Sequence, residues 1–479
     1  MTITEQSRSA ANNKRVAVVG GGISGLAAAH RLIELNPQTE VILLEASSRL
    51  GGVLKTVSKE GFLVEQSADN FITNLPGGIK LCQRVGLAEE MLNTRDEFRR
   101  AFIIHKKKLQ IIPEGFLIMA PSKVMPIIKT PILSTRGKLR MLWEYFVPKK
   151  KEAGDESLQS FSLRRFGQET FDRLIQPLVG GIYTADPQKL SLQATLPRFL
   201  QMEQDYGSLV RGALKQAKAR KQTDSTSSGA RYSLFTTPQN GMSRLVNSVA
   251  AKLPQEGIML NSPVETVSQI ENNRWEIHVA GDSPRTLEVD GVIIASRAYH
   301  AAKMLASVND ELVKKLNSIP YAGCAIVSLG FKREQIAHPL NGFGFVVPAV
   351  EKLSMLSASF SSIKYEGRAP DGSVLIRAFL GGAMQAELVA KEEEELLHIV
   401  KQELSQLLGI TGEPMMHHVN RHVAAMPQYH LGHVELVDEI EQLLTTHPGL
   451  QLAGNAYRGV GVPQCIASGE QAAEQLFTE

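Results

Sequence analysis

Gly20, Gly22 and Gly25 stand at G-x-G-x-x-G spacing behind the apolar run Val16-Ala17-Val18-Val19 and ahead of Leu26-Ala27-Ala28-Ala29. That order of residue types binds phosphate. The first glycine allows a tight turn, the second lets the backbone approach a pyrophosphate, and the third removes a Cβ where helix meets strand. Unpaired N–H groups opening the helix then face the anion. A further apolar run, Val41-Ile42-Leu43-Leu44, ends in Glu45, about twenty residues on, where an acid can accept from a ribose hydroxyl. The plainer reading, a glycine loop beside a solvated Glu45, leaves the coincidence of both parts unexplained.

A second corner of this kind lies at the other end of the chain. Leu450-Gln451-Leu452-Ala453-Gly454-Asn455 is followed by Gly459-Val460-Gly461-Val462-Pro463 and an expected helix over 464–477. Pro463 suits a first helical turn. Plain core packing would leave the three glycines unexplained.

Positioning two such corners requires an α/β fold: a Rossmann-like dinucleotide domain in discontinuous pieces, 14–60, 232–297 and 421–479. Alternating strands over 325–331, 344–347 and 374–380 with a charged helix over 391–408 read as an antiparallel sheet covered by helices, assigned with 61–92 to a substrate domain, 61–92 and 298–420. Helical candidates over 116–125, 139–147, 158–166 and 170–178 make 93–220 a helical insertion. Residues 216–231, rich in Lys, Ser, Thr and Gly, read as a linker loop. Residues 1–13 lack an apolar core and read as a disordered tail, not a signal peptide.

The chain has 479 residues, 43% apolar and 21% charged, which suits a globular protein of two or three domains. Lys+Arg 52 against Asp+Glu 49 leaves +3, too weak a field to expect nucleic-acid binding. Cys82, Cys324 and Cys465 form no C-x-x-C pair, which argues against a zinc site or disulfide framework and fits a reducing, cytoplasmic setting. No apolar run reaches the ~20 residues of a transmembrane helix. Within the insertion, Pro113, Pro121, Pro126, Pro131 and Pro148 punctuate an apolar surface beside Lys149-Lys150-Lys151. Helices packed on one another with a solvated lysine run is the simpler reading; peripheral contact with an anionic inner membrane face is the alternative.

Beyond Glu45, Ala46-Ser47-Ser48-Arg49-Leu50-Gly51-Gly52 forms an E-x-x-x-R-x-G-G pattern that resembles the flavin-containing amine oxidase and desaturase superfamily. The resemblance implies FAD, with Arg49, Gly51 and Gly52 along its pyrophosphate and flavin side and the backbone of Val264 meeting the adenine. Backbone N–H groups near Gly461 and Val462 would donate to the flavin pyrimidine edge, where charge builds up on reduction. Four ordered motifs narrow it: Pro177-Leu178-Val179-Gly180-Gly181-Ile182-Tyr183-Thr184-Ala185-Asp186, Gly342-Phe343-Gly344-Phe345-Val346-Val347-Pro348, Met426-Pro427-Gln428-Tyr429-His430-Leu431-Gly432-His433 and Gly459-Val460-Gly461-Val462-Pro463. Together they resemble the oxygen-dependent protoporphyrinogen/coproporphyrinogen oxidases of haem synthesis, from Lys14 nearly to the C-terminus.

That resemblance implies six-electron oxidation of a porphyrinogen by hydride transfer to flavin N5, with dioxygen as acceptor and hydrogen peroxide released. No side chain is expected to act as acid or base, so His430 and His433 are expected to fix a turn. FAD would be held noncovalently by Gly20, Gly22, Ser24, Gly25, Glu45, Ala46, Arg49, Gly51, Gly52, Val264, Gly454, Asn455, Gly461 and Val462, leaving Cys465 unmodified. Gly181 would lie over the tetrapyrrole, Phe343 and Val346 would sandwich it, and Phe379 would line the slot. Relatives hold Gly-Pro where Ser67-Ala68 stands, and some hold a propionate with an Arg where this chain has Ala101; Arg99 or Arg100 could replace it, and Arg100 is taken as that contact. The resemblance leans toward the bacterial enzymes that accept coproporphyrinogen III, with no motif separating it from protoporphyrinogen IX. It also implies ferrochelatase as a partner, and a monomer or homodimer. An amine oxidase or carotenoid desaturase, and a non-enzymatic flavin-binding assembly protein, are the competing readings on the same scaffold.

Overall fold

The computed structural model describes residues 14–150, 154–223 and 234–478. Arg15–Val19, Glu40–Leu44, Ile258–Met259, Gly291–Ile294 and Leu450–Leu452 form a five-stranded parallel sheet, with Arg15–Val19 at its centre. A strand covered on both faces reads as a continuous apolar run, and this is why Val16 to Val19 shows no polar alternation. Val16 and Val18 face one core with Leu26 and Ile466; Ala17 and Val19 face another with Trp275, Leu312 and Ile440. Helices Ile23–Leu35 and Val462–Thr478 pack together on the first side. Gly469 makes that approach possible: a Cβ there would stand 2.0 Å from the Ser24 carbonyl oxygen.

A seven-stranded sheet runs in the order Met416–Pro427, Tyr321–Lys332, Ser373–Gly381, Met355–Phe360, Gly344–Val346, Phe102–His105, Lys108–Ile111. All neighbours are antiparallel except Gly344–Val346 beside Phe102–His105. One face is apolar: Val327, Ala378, Ala358, Phe345 and Phe102 lie across one rung and pack under helix Glu393–Leu408. Because side chains alternate, the neighbouring rungs point the other way. Asn420, Ile326, Phe379, Ser357 and Val346 share one such rung; His418, Ser328, Arg377, Ser359 and Gly344 share the next.

Several expected boundaries move. Strands Phe102–His105 and Lys108–Ile111 belong to the seven-stranded sheet, so the helical insertion does not begin at 93. Residues 116–125 form a hairpin, Phe116–Leu117 with Ala120–Pro121, not a helix: Gly115 and Pro121 interrupt it, and Ile118 turns at φ 59°. Leu158–Phe166 is helical as expected. Helix Leu209–Thr223 continues through the first half of the expected linker, since Lys, Arg and Gln favour helix; residues 224–231 and the tail 1–13 lie outside the described residues.

Packing divides 61–92, whose Phe62 and Val64 pack with Leu375 and Met416 of the large sheet, and carries the later part and 298–319 to the parallel sheet. Helix Pro76–Arg84 buries Leu81 and Cys82 in the Val16 core, and helices Ala298–Met304 and Asp310–Asn317 join the Ala17 core. At the other boundary, 421 falls inside the single edge strand Met416–Pro427. These misplacements share a cause: amphipathic periodicity shows that an element has a partner, not which partner.

Candidate functional site

The parallel strands Arg15–Val19, Gly291–Ile294 and Leu450–Leu452 are neighbours, so the loops after the first and last open at the same edge of the sheet. That brings the two glycine corners together. Gly20 turns at φ 109°, and a Cβ at Gly25 would meet the Gly20 carbonyl oxygen at 1.9 Å. At Gly22 a Cβ would meet nothing within 4 Å. The middle glycine therefore exposes bare backbone to open space, the cradle a pyrophosphate needs. Helix Ile23–Leu35 begins there with no acidic residue in its first turn and no side chain capping it, leaving its first N–H groups for a ligand.

Around this cradle the Gly51-Gly52 loop closes in: Gly51 N–H donates to the Gly21 carbonyl at 2.7 Å. Arg49 holds the loop's shape, donating to the carbonyls of Leu50 (2.9 Å), Gly52 (2.5 Å) and Leu54 (3.2 Å). It is thus neither a loose surface charge nor aimed outright at a phosphate. Glu45 accepts from Gly21 N–H at 2.7 Å through Oε2, and from Ser47 N–H at 2.8 Å and Ser47 Oγ at 2.7 Å through Oε1. A carboxylate has about four lone-pair sites, so one remains for a ribose hydroxyl. Ser262 N–H donates to the Glu45 carbonyl at 2.9 Å, which sets Val264 beside Glu45 and exposed Ala46.

At the second corner Gly454 N–H donates to Ser468 Oγ at 3.0 Å. Tyr429, which sequence reasoning saw only as part of a motif, braces the corner: its buried hydroxyl donates to the Asn455 carbonyl at 2.6 Å and accepts from Gly459 N–H at 2.8 Å. Asn455 Nδ2 reaches the Ala425 carbonyl at 3.4 Å. Gly461 and Val462 open helix Val462–Thr478, again with no acid in the first turn. His433 stacks on the Tyr429 ring, centroids 3.9 Å apart, and donates through Nε2 to the Tyr457 carbonyl at 2.9 Å. Burial lowers its pKa to about 4, so it stays neutral and structural. Burial also pushes the Cys465 thiol up to about 11.

The other face of the large sheet carries the residues expected to line a slot. Phe379 and Val346 lie on one rung, both half-buried, with half-buried Phe343 at the end of the Gly344–Val346 strand. Helix Gln176–Tyr183 crosses above: a Cβ on exposed Gly181 would touch Val346 Cγ1 at 3.6 Å. Hydrogen bonds that hold that helix include Ala349 N–H to Gln176 Oε1 at 3.0 Å, Tyr183 Oη to the Thr195 carbonyl at 3.0 Å and, just past its end, Ala383 N–H to the Thr184 carbonyl at 2.8 Å. Arg100 is adjacent, its carbonyl accepting from Phe343 N–H at 2.8 Å, and its side chain is exposed.

Polar residues from the Gln66-to-Asn70 segment seal the same face. Asn420 Nδ2 donates to the Gln66 carbonyl at 2.8 Å, and His422 Nε2 lies 2.7 Å from that oxygen. Arg377 donates to the Ser67 carbonyl and comes within 3.4 Å of Asp69 Oδ2; Lys364 Nζ lies 3.6 Å from the same oxygen. Burial favours a neutral Asp69, yet the Lys364 and Arg377 charges outweigh it and hold the carboxyl below its usual range. Neither Arg377 nor Asp69 belongs to a sequence pattern; only the register of the sheet brings them together.

A dinucleotide cradle beside an apolar slot defines a flavoprotein oxidoreductase class. The profile of flavin containing amine oxidoreductases matches residues 23–477. The coproporphyrinogen III oxidase of Bacillus subtilis (strain 168) is 31% identical over 478 residues, covering 97% of this chain and 98% of its own. Mitochondrial protoporphyrinogen oxidase of Nicotiana tabacum is 32% identical, over 97% of this chain and 95% of its own. A crystal structure from Exiguobacterium sp. 255-15, of a protein provisionally assigned as a protoporphyrinogen oxidase, superposes with TM-score 0.83 at 28% identity over 97% of this chain and 98% of its own. The chain belongs to the flavin-containing amine oxidoreductases and, among them, to the protoporphyrinogen/coproporphyrinogen oxidases.

Proposed function

We propose that the protein binds FAD noncovalently across its two glycine corners and oxidises a porphyrinogen, coproporphyrinogen III or protoporphyrinogen IX, to the porphyrin. Three rounds each remove two hydrogens, and three dioxygen molecules become three hydrogen peroxide, so six electrons balance. The observation that carries the reading is the open Cβ position at Gly22 at the sheet edge shared with the Gly461-Val462 helix start, and Phe379 and Val346 on one rung of the large sheet support it. Bound flavin supplies the hydride acceptor.

The chain's own residues bind and orient. Gly20, Gly22, Ser24 and Gly25 offer backbone to the pyrophosphate; Glu45 takes the ribose; Ala46 and Val264 border the adenine end. Arg49 keeps Gly51 and Gly52 in shape. Gly454, Asn455, Gly461 and Val462 present the second corner's backbone to the flavin ring. Phe343, Val346 and Phe379 exclude water from a flat macrocycle, Gly181 offers its carbonyl to a pyrrole N–H, and exposed Arg100 meets a propionate at the mouth. A neutral, buried Cys465 fits noncovalent binding.

Purified protein supplied with porphyrinogen under air is expected to produce porphyrin fluorescence and peroxide in step. Turnover of amines or carotenoid precursors without porphyrin would support the second enzyme reading, and bound flavin without any turnover the assembly protein.

Among the described residues no helix is long and apolar enough to cross a membrane. We infer peripheral contact instead. Trp143 (62%) and Phe146 (68%) stand exposed with Leu139 and Met125, rimmed by Lys129, Lys138, Lys149 and Lys150, while the one acid of that stretch, Glu144, is buried. Aromatic tips with a basic rim suit an anionic lipid surface. Co-sedimentation with anionic but not neutral vesicles tests it.

A further inference from the structure

We propose that Arg377, supported by Lys364 and Asp69, is a carboxylate-binding residue deep in the slot that favours a porphyrinogen carrying propionates at both edges. The inference rests on the porphyrinogen reading above and names the substrate within it.

Arg377 precedes Phe379 by two residues on strand Ser373–Gly381, so both side chains rise from the same face. The guanidinium lies 5.3 Å from the Phe379 ring centroid. It is 1% exposed, whereas the Arg100 side chain, three strands away in the sheet order, is exposed.

A buried guanidinium ordinarily has its donors matched, because desolvating a charge is costly. Here Nη2 donates to the Ser67 carbonyl, and Nη1 stands 3.4 Å from Asp69 Oδ2. Among the described residues, Nε and Nη1 make no hydrogen bond. Nor do Ser67 Oγ, Ser359 Oγ or Tyr365 Oη, all buried: Ser67 touches the guanidinium through its carbonyl, Ser359 pairs with Arg377 across the sheet, and Tyr365 follows Lys364. Nε and Nη1 lie on different edges of the guanidinium and Nη1 faces Asp69, so Nε is the donor left for one carboxylate oxygen, with the Ser359 hydroxyl across the sheet able to donate to the other.

The charge balance agrees. Arg377 and Lys364 oppose the single carboxylate of Asp69. Nearby Arg368 and Glu65 are committed elsewhere, Arg368 to the Gln239 and Pro238 carbonyls, Glu65 to Met242 N–H and Thr56 Oγ1. Burial lowers the Lys364 pKa, so the lasting cation beside Asp69 is Arg377, which keeps hydrogen-bonding capacity on the face it shares with Phe379. Protoporphyrinogen IX has two propionates on one side and vinyl groups on the other; with its propionates at Arg100 it brings only hydrocarbon to Arg377. Coproporphyrinogen III brings a carboxylate to both ends.

The test uses the flavin-loaded full chain with Arg377→Gln, Arg377→Lys and Ser359→Ala. Binding of the stable products coproporphyrin III and protoporphyrin IX is titrated by fluorescence, kcat/KM is measured for both porphyrinogens, and the flavin midpoint potential is recorded. Arg377→Gln is expected to weaken coproporphyrin III binding about tenfold to a hundredfold, the range for a hydrogen bond to a charged group, with protoporphyrin IX changed less than about twofold. Arg377→Lys keeps the charge and is expected to restore part of the loss. Ser359→Ala leaves the ion pair intact and is expected to cost about twofold to tenfold for coproporphyrin III alone. Equal losses for both porphyrins overturn the proposal. So does a shifted flavin potential with unchanged porphyrin binding, which would assign the cation to the anionic reduced flavin. A wild-type protein that binds and oxidises neither tetrapyrrole overturns the underlying reading instead.

Discussion

Two fully buried arginines, Arg165 in the helical segment and Arg377 on the slot face, are partnered in opposite ways. Arg165 pairs with Glu144, both wholly buried, and donates through Nη1 to Glu203 at 3.2 Å and the Val147 carbonyl at 3.0 Å, and through Nη2 to the Gly207 carbonyl at 3.1 Å. Glu144 in turn accepts from Ser208 Oγ and from the N–H groups of Leu209 and Val210, capping the next helix. Apart from Nε, the Arg165 guanidinium nitrogens are bonded. Around Arg377 a cation, a carboxylate and several hydroxyls share one place with hydrogen-bonding capacity to spare. A buried charge whose partners are complete holds a fold together; one whose partners are incomplete is available to a ligand.

Substitutions should separate the two. Arg165→Met leaves Glu144 and Glu203 buried without their cation and is expected to cost about 3–5 kcal/mol, read as a lowered urea midpoint of the flavin-loaded protein. Arg377→Gln is expected to cost clearly less stability while altering porphyrin selectivity; equal destabilisation by both would erase the contrast. Next in size, His433 folds with a pKa of about 4 against an ordinary 6.5. A depressed histidine gives stability that is complete above pH 6.5 and lost as pH falls through 4, up to about 3 kcal/mol. His433→Gln should flatten that part of the stability profile, and an unchanged slope would contradict a neutral structural role.

Smaller effects probe the corners. Gly469→Ala places a Cβ 2.0 Å from the Ser24 carbonyl oxygen and should force the two helices apart, at about 1–3 kcal/mol, with flavin released at lower temperature. Tyr429→Phe leaves the Asn455 carbonyl and Gly459 N–H without their hydroxyl, and is expected to weaken flavin binding by about 1–3 kcal/mol in a fluorescence titration.

Much of this was legible in the residues because it depends on local chemistry. Gly20, Gly22 and Gly25 announce their turn, and the apolar run before them announces a doubly covered strand. Phe379 and Val346 were reachable only through motif resemblance, since nothing in their own spacing says that they share a rung. Arg377, Asp69 and Lys364 escaped altogether, and the role of Tyr429 stayed hidden inside its motif: they act through partners tens to hundreds of positions away, and a lone Arg in a strand carries no signal of what lies opposite. The same blindness hid that helices Pro76–Arg84, Ala298–Met304 and Asp310–Asn317 pack on the parallel sheet.

The central claim is that both glycine corners hold one flavin against the Phe379–Val346 surface. Mixing the flavin-loaded protein with coproporphyrinogen III or protoporphyrinogen IX in the absence of air, and following the flavin's visible absorption, tests it directly. Bleaching within a single turnover is expected, then recovery with porphyrin fluorescence and peroxide when air is admitted. Flavin that stays oxidised with both porphyrinogens, while an amine bleaches it, would contradict it.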